Sequence, residues 1–367
     1  MELMVDTATD TAFLRSILAS PEDDAPRLVY ADWLDENGDP DRAEFIRLQI
    51  RLARTDPHHP EWPRLKAVVS QIEQAYHVSW VNQLPELPGI HWEIFDRGFI
   101  SAVRVDEPDA FFRSAGKIFA AAPIREVRLH QFSWHKATEL ADSAYLTRVR
   151  ILDLNDGNRI GNLGIEALMR SPQLANLAEL KVGRNSLGSA GIRSIAESPY
   201  VRSLRGLKAE RNDLYDDALK HLAGSPWVRG MNYLDLERTR TGDDAVIALA
   251  RSKHLTRLNW LHLGGNLITD VGIEALAASH AVAEMRDLFL HSNQLTDRAI
   301  VALADSPGFG RLERLYLRDN RIGDDGAMAL ANSQYLQCLE HLYVGGNRIS
   351  DLAAASLRRR FPAVNLY

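Results

Sequence analysis

The sequence predicts an α/β solenoid: a horseshoe with a parallel sheet on its concave face and helices on its convex face, preceded by a small N-terminal helical module. Three observations predict it. Asn158, Asn185, Asn212, Asn266, Asn293, Asn320 and Asn347 fall on one 27-residue lattice, interrupted only by Thr239. Around each rung the chain reads Leu-x-x-Leu-x-Leu-x-x-Asn-x-Leu/Ile, as in Leu258, Leu261, Leu263, Asn266 and Ile268. The second half of each unit spaces apolar residues at i, i+3 and i+4, as in Ile273, Leu276 and Ala277 and again in Ile300, Leu303 and Ala304.

Each part of the unit has a physical reason. Leu-x-Leu has the period of a strand, so two leucines point inward and the residue between them points out. The asparagine follows the strand where the chain turns, and its amide can bond backbone groups of its own turn and of the neighbouring coil. Thr239 can do part of this with its hydroxyl, so the fourth unit is expected to close. Asp270, Asp297 and Asp324 precede the helical stripes and suit helix N-termini. Ser171, Ser198, Ser225, Ser252, Ser279, Ser306 and Ser333 recur where the helices end. One strand and one helix cannot bury a core alone, whereas stacked units can.

This pattern resembles the ribonuclease-inhibitor-like class of leucine-rich repeats over residues 146–367, read as eight units of 27 residues. The resemblance implies the fold; function sits in the exposed positions. Upstream, Ile100, Val103 and Val105 precede Phe111 to Ala121, and Ile124, Val127 and Leu129 precede Ala137 to Ala144, both without the asparagine. Ile90 to Phe95 and Phe99 to Val105 flank Asp96-Arg97-Gly98, a hairpin turn. Residues 88–145 therefore read as an N-terminal cap with degenerate repeats. At the other end, Arg358-Arg359-Arg360 interrupts the last apolar stripe, as a solvated cap does.

Residues 1–56 read as a module of three short helices, and 57–87 as a linking helix after His58-His59-Pro60-Glu61-Trp62-Pro63. Phe13, Leu14, Ile17 and Leu18 form the first stripe. Ser20-Pro21-Glu22-Asp23 reads as a helix start. Leu28, Ala31 and Leu34 form the second stripe, which Asn37-Gly38 ends, and Ala43, Ile46, Ile50 and Ala53 form the third. Phe13–Gln49 resembles the bacterial repeat-companion domain, through the Arg27-to-Leu34 core followed by Gly-Asp-Pro and Ala-Glu-Phe. That resemblance implies a bacterial source and an interaction protein, with no established activity.

Composition is that of an ordinary soluble protein, 46% hydrophobic and 25% charged, and no run of apolar residues is long enough to span a membrane. The start, Met1 to Asp10, lacks the features of a secretory signal. The single cysteine, Cys338, permits no internal disulfide and fits a reducing cytoplasm; it precedes a strand and reads as a small buried apolar group. Residues 1–56 hold thirteen acids against six arginines, a charge of −7, so the other 311 residues are near neutral. That balance argues against general nucleic-acid binding. The acids Asp23, Asp24, Asp32, Asp35, Glu36 and Asp39 lie at caps and turns and read as capping and solvation. Adjacent His58 and His59 cannot share a helical face. No phosphate loop, nucleophile elbow or Cys-x-x-Cys is present, so no enzyme, metal or cofactor is expected.

The lattice identifies the side chains that leave the core toward the hollow. The position between the paired leucines runs Arg104, Arg128, Asp153, Lys181, Lys208, Asp235, His262, Phe289, Tyr316, Tyr343. Two residues before it stand Tyr233, Trp260 and His341, and two after it stand His291 and Arg318. The array thus changes from charged to aromatic near its fourth unit. Tyr, Trp and Arg dominate interface hot spots. The expected function is a non-enzymatic scaffold that grips a protein partner on the concave face, with Tyr233, Trp260, His262, Phe289, His291, Tyr316, Arg318, His341 and Tyr343 as its contact residues. The alternative is a regulator, an enzyme inhibitor or GTPase activator, acting through the same face. The partner and the oligomeric state are left open by the sequence.

Overall fold

The computed structural model describes residues 7–57, 59–155, 158–361 and 363–366. The chain divides into two compact units, Met1–His130 and Gln131–Tyr367.

The first unit runs α1 (Thr7–Ala19), α2 (Ala25–Glu36), α3 (Pro40–Arg54), α4 (Trp62–Val81), β1 (Ile90–Trp92), β2 (Phe95–Asp96), β3 (Phe99–Ile100), β4 (Ala102–Val105), α5 (Pro108–Ala121) and β5 (Glu126–Leu129). The predicted stripes form its core: Ile17, Ala31, Leu34, Ala43, Ile46 and Ile50 pack together with Phe99. Helix α2 begins later than Ser20-Pro21 suggests. Ser20 accepts the Asp23 N–H at 3.0 Å in a turn, and the Asp23 carboxylate accepts the Ala25 N–H at 2.9 Å. Pro26 then sits in the first turn, where its missing donor costs nothing. Wholly buried Arg27 ties this start down by donating to the Asp23 carbonyl at 3.2 Å. Helix α4, expected as a linker, joins the core of this unit, with Trp80 4.7 Å from the Phe45 ring and 5.8 Å from Phe95.

The hairpin turn forms as predicted. Asp96 pairs with Phe99, and Arg97 and Gly98 between them have φ of 48° and 87°, the two left-handed residues of a type I′ turn. Gly98 serves a second purpose. A Cβ there would lie 2.3 Å from Ile46 Cγ1 and 2.9 Å from Ile46 Cα on α3. At this close approach the Gly98 N–H donates to Gln49 Oε1 at 2.7 Å, and Gln49 Nε2 donates to the Phe95 carbonyl at 3.3 Å. Strand β4 runs antiparallel to β1 and parallel to β5.

The second unit alternates short strands and helices. It comprises α6 (Ala137–Ala141), β6 (Ile151–Asp153), α7 (Gly161–Met169), β7 (Glu179–Lys181), α8 (Ser189–Glu197), β8 (Gly206–Lys208), α9 (Tyr215–Gly224), β9 (Tyr233–Asp235) and α10 (Asp243–Ala250). It continues with β10 (Trp260–His262), α11 (Asp270–Ala277), β11 (Asp287–Phe289), α12 (Asp297–Ala304), β12 (Arg314–Tyr316), α13 (Asp324–Asn332), β13 (His341–Tyr343), α14 (Asp351–Arg360) and β14 (Ala363–Asn365). Strands β6 to β14 are all parallel in sequence order. The final strand β14 was not marked by the repeat pattern. Each strand from β6 to β13 buries its central leucine completely, as with Leu180, Leu261, Leu288 and Leu315.

Three columns of side chains stitch coil to coil. In the asparagine column, Asn293 Oδ1 accepts the Ile268 N–H of the preceding coil at 3.1 Å, and its Nδ2 donates to Leu263 and Leu290 carbonyls at 2.9 and 3.1 Å. Thr239 closes its coil differently. Its hydroxyl donates to Leu236 at 2.9 Å, while the Leu214 and Tyr215 N–H groups turn to the Thr239 backbone carbonyl at 3.2 Å. In the serine column, Ser198, Ser225 and Ser252 donate to carbonyls of the preceding helix at 2.6–2.7 Å. Asp270 and its equivalents occupy the first helical position as expected. Their carboxylates reach forward as well: Asp270 accepts the Thr296 N–H at 2.8 Å and its hydroxyl at 2.6 Å, and Asp243 does the same for Thr269.

One reading is corrected. Cys338 is exposed, where a buried apolar group was expected. It stands one residue before the inward Leu339, a position that points outward and holds Arg257, Glu284 and Arg311 in earlier units.

Candidate protein-binding face

The face of the β6–β14 sheet away from the helices is built by the residues flanking each buried central leucine. Parallel register places them in rows: Tyr233, Trp260, Asp287, Arg314 and His341 in one, and Asp235, His262, Phe289, Tyr316 and Tyr343 in the next. Strands in a sheet lie about 4.8 Å apart, the right spacing for rings to stack.

The rings do stack, and they cross from one row to the other. Tyr233 lies on Trp260 with centroids 4.0 Å apart and planes 13° from parallel. Trp260 then leans diagonally onto Phe289 at 4.8 Å. Phe289 stacks on Tyr316 at 4.2 Å and Tyr316 on Tyr343 at 4.3 Å, the last pair only 4° from parallel. The column is therefore continuous across five coils. Lys208 extends it by a sixth, its ammonium 5.0 Å from the Tyr233 ring.

Stacking changes the character of these side chains. All five rings are half-buried, whereas scattered apolar residues elsewhere, such as Leu352 at 81%, are far more exposed. The rings present edges and part of their faces. Burial pushes the Tyr233 phenol up, helped by the charges of Asp235, Glu179 and Glu210. Burial and the neighbouring Tyr343 do the same to Tyr316. Both phenols are neutral donors at physiological pH.

His262 and His291 form a second cluster beside the column, their rings 5.2 Å apart, with His262 4.8 Å from Phe289. His262 Nδ1 lies 3.1 Å from the Asp235 carboxylate. His291 lies over Gly264, where a Cβ would meet the imidazole at 2.4 Å. Burial, and then the charge of His262, lower the His291 pKa below its ordinary 6.5. A depressed histidine favours the folded state while it stays neutral, and that contribution fades as pH falls through 6.5 and below. His291→Asn is therefore expected to flatten the fall in melting temperature between pH 7 and 5; an unchanged slope would show that His291 does not carry it.

The remaining predicted residues are less integrated. Arg318 is exposed at the turn end of its strand, and His341 is placed opposite Arg314 in the β12–β13 register. The sequence reading missed the polar partners that hold the row. Arg314 forks onto Asp287, with Nη2 2.7 Å from Oδ2, and Lys181 lies 3.3 Å from Asp153. The 27-residue spacing of opposite charges, 287 to 314 and 153 to 181 within one residue, was the available signal.

The N-terminal acids are engaged in capping and pairing: Asp39 accepts the Arg42 N–H at 3.1 Å, and Arg47 bridges Asp32 and Asp35 at 2.7 and 2.6 Å. Among the described residues no group of three metal-ligating side chains converges. His58 of the adjacent histidine pair lies outside the described residues. No helix among the described residues is long and apolar enough to cross a membrane.

Comparison with known proteins agrees with the repeat. The Leucine Rich repeat family model matches residues 146–169, 251–277, 312–331 and 335–357. No curated protein matches the chain. Similar solved structures include internalin C2 from Listeria monocytogenes, 22% identical, covering 64% of this chain and 92% of its own, with TM-score 0.46. An internalin F from the same organism is 19% identical over 72% of each chain, with TM-score 0.45. A chain of the yeast Rad7 and Elc1 complex is 15% identical, covering 92% of this chain and 90% of its own, with TM-score 0.50. The 27-residue unit, its buried leucines, its asparagine column and the family match together make this a leucine-rich repeat protein, with an α/β solenoid of parallel strands backed by helices.

Proposed function

We propose that the chain is a protein-binding scaffold and that its contact surface is the aromatic column Tyr233–Trp260–Phe289–Tyr316–Tyr343 with the flanking His262, His291, Arg318 and His341. One observation carries this reading: five rings from five successive coils are stacked in one continuous column on the open face of the sheet. Rings fixed against each other lose little freedom on binding, so less of the interaction is spent on ordering them. Tyr and Trp are also the side chains that dominate binding hot spots. The fold neighbour from the yeast complex of Rad7 with Elc1 is itself in a protein assembly, which is compatible with such a role.

The finer placement follows from the same features. We assign the array to the ribonuclease-inhibitor-like class on its asparagine lattice and the helix in every coil. The bacterial source rests on the companion motif of Phe13–Gln49, and the cytoplasmic location on the single cysteine. The organisation into residues 1–56, 57–87, 88–145 and 146–367 rests on the same sequence features.

The test is affinity capture from the source cell with wild type and a Trp260→Ala, Phe289→Ala, Tyr316→Ala variant, with melting temperature as a folding control. A hot-spot truncation costs about 2 kcal/mol or more. Binding of the captured partner is therefore expected to weaken at least ~30-fold per residue lost. If both proteins retain the same partners with equal affinity, the aromatic face is not the grip.

A further inference from the structure

The first unit holds a cavity of about 330 Å³. Tyr30, Trp80, Phe95 and Phe99 give its wall aromatic surface, and Asp10, Asp39 and Arg42 give it charges of both signs. These residues come from α1, α2, the start of α3, the end of α4 and the β2–β3 hairpin. No contiguous motif announces them.

Arg42 is held in place with bonding capacity to spare. Its guanidinium carbon lies 4.3 Å from the Trp80 ring centre and 5.2 and 5.6 Å from those of Phe95 and Phe99. Its Nη1 is buried without a hydrogen-bond partner among the described residues. Leaving a buried guanidinium N–H without an acceptor is costly, and a carboxylate oxygen relieves it. Burial pushes the Arg42 pKa down to about 10, which leaves it charged at neutral pH. The acids each have one oxygen engaged: Asp10 Oδ1 accepts from the Tyr30 hydroxyl at 2.5 Å, and Asp39 Oδ1 caps α3.

Two negative groups against one positive group discriminate among small molecules. A simple anion meets Asp10 and Asp39, and a simple cation meets Arg42. A molecule carrying both charges satisfies both. We propose that this cavity binds a free α-amino acid with an apolar side chain: its carboxylate on Arg42, its ammonium on Asp10 and Asp39, and its side chain against Trp80, Phe95 and Phe99. The volume suits it. At about 30 Å³ per water-sized group, the space takes roughly eleven heavy atoms, and it lies at the small end of ordinary ligand pockets.

The experiment is titration calorimetry on the full chain with L-leucine and L-phenylalanine. The control ligands are 3-phenylpropionate, which lacks the ammonium, and 2-phenylethylamine, which lacks the carboxylate. At least one amino acid is expected to bind with a dissociation constant on the order of 0.1 mM, and each single-charge analogue at least tenfold more weakly. Asp10→Asn and Arg42→Lys are each expected to weaken the amino acid at least tenfold. The melting temperature of each ligand-free variant checks its fold. Absence of heat with either amino acid at 10 mM overturns the proposal. So does an analogue that binds as well as the amino acid, or wild-type affinity in Asp10→Asn. Asp10 is half-buried on α1 and its one side-chain hydrogen bond among the described residues is to Tyr30, so Asp10→Asn decides the matter if Arg42→Lys does not fold.

Discussion

Asn293→Ala is expected to lower unfolding free energy by about 3 kcal/mol, against about 1 kcal/mol for Thr239→Ala at the one irregular rung. The difference follows from what each side chain satisfies. Asn293 gives the Ile268 N–H its acceptor at 3.1 Å, and no other acceptor for that buried donor is found among the described residues. Its amide also donates to the Leu263, Leu290 and His291 carbonyls. Those carbonyls keep a second donor when Asn293 is lost, such as Asn266 on Leu263 and Asn320 on Leu290, so they add less. The Thr239 hydroxyl makes its shortest bond to a Leu236 carbonyl that Asn266 also serves at 2.8 Å, and its contacts with Thr241 Oγ1 and Asn266 Oδ1 are longer, both 3.3 Å. Its coil closes through backbone atoms that alanine retains. Urea denaturation of the two variants checks the ranking. Equal costs would mean that the asparagine column does not hold adjacent coils together.

Gly98→Ala is the second large effect, with an expected loss of about 4 kcal/mol confined to the first unit. Three contributions combine. A left-handed backbone costs an ordinary residue about 1–2 kcal/mol. The new methyl would overlap Ile46 Cγ1 at 2.3 Å and press on the α3 backbone at 2.9 Å, which cannot rotate away. Separating the hairpin from α3 then opens the buried Gly98-to-Gln49 hydrogen bond, about 1–3 kcal/mol more. Hydrogen exchange should show α3 and the β2–β3 hairpin losing protection while the Asn293 region keeps it. A loss under about 1 kcal/mol would show that the close approach does not exist in solution.

The repeat was legible because period carries it. From β7 to β13 the central leucines recur at 27 residues, as do the asparagine rungs apart from Thr239, and physical neighbours in such a fold are neighbours on the lattice. The same lattice placed Tyr233, Trp260, Phe289 and Tyr316 on one face. It could not show that Trp260 leans across to Phe289, because that contact crosses between rows and depends on side-chain rotation. Cys338 was misjudged because residue type was weighed above register; its lattice equivalents Arg257, Glu284 and Arg311 are charged. The sequence places Asp270 at its own helix N-terminus, and its forward reach to Thr296, which Asp243 repeats toward Thr269, appears only once coils are stacked. The cavity around Arg42 was invisible for a different reason. Asp10, Arg42, Trp80 and Phe99 are separated by 19 to 38 residues with no period, and only the folded chain collects them.

The three stitching columns impose an arithmetic on the chain. The asparagines, the aspartates and the serines other than Ser279 serve backbone groups 25 to 30 residues away, so coils are completed by their neighbours. Excising residues in a multiple of 27 joins one coil to another with equivalent donors and acceptors in place. Excising 26 or 28 leaves a single coil one residue short or long, and that coil's donors and acceptors miss their neighbours unless a turn absorbs the slip, as happens in the 28-residue step from Asp153 to Lys181 between β6 and β7. Whole coils are thus the natural unit in which the array can lose or gain length, and an odd residue falls on the one coil that contains it.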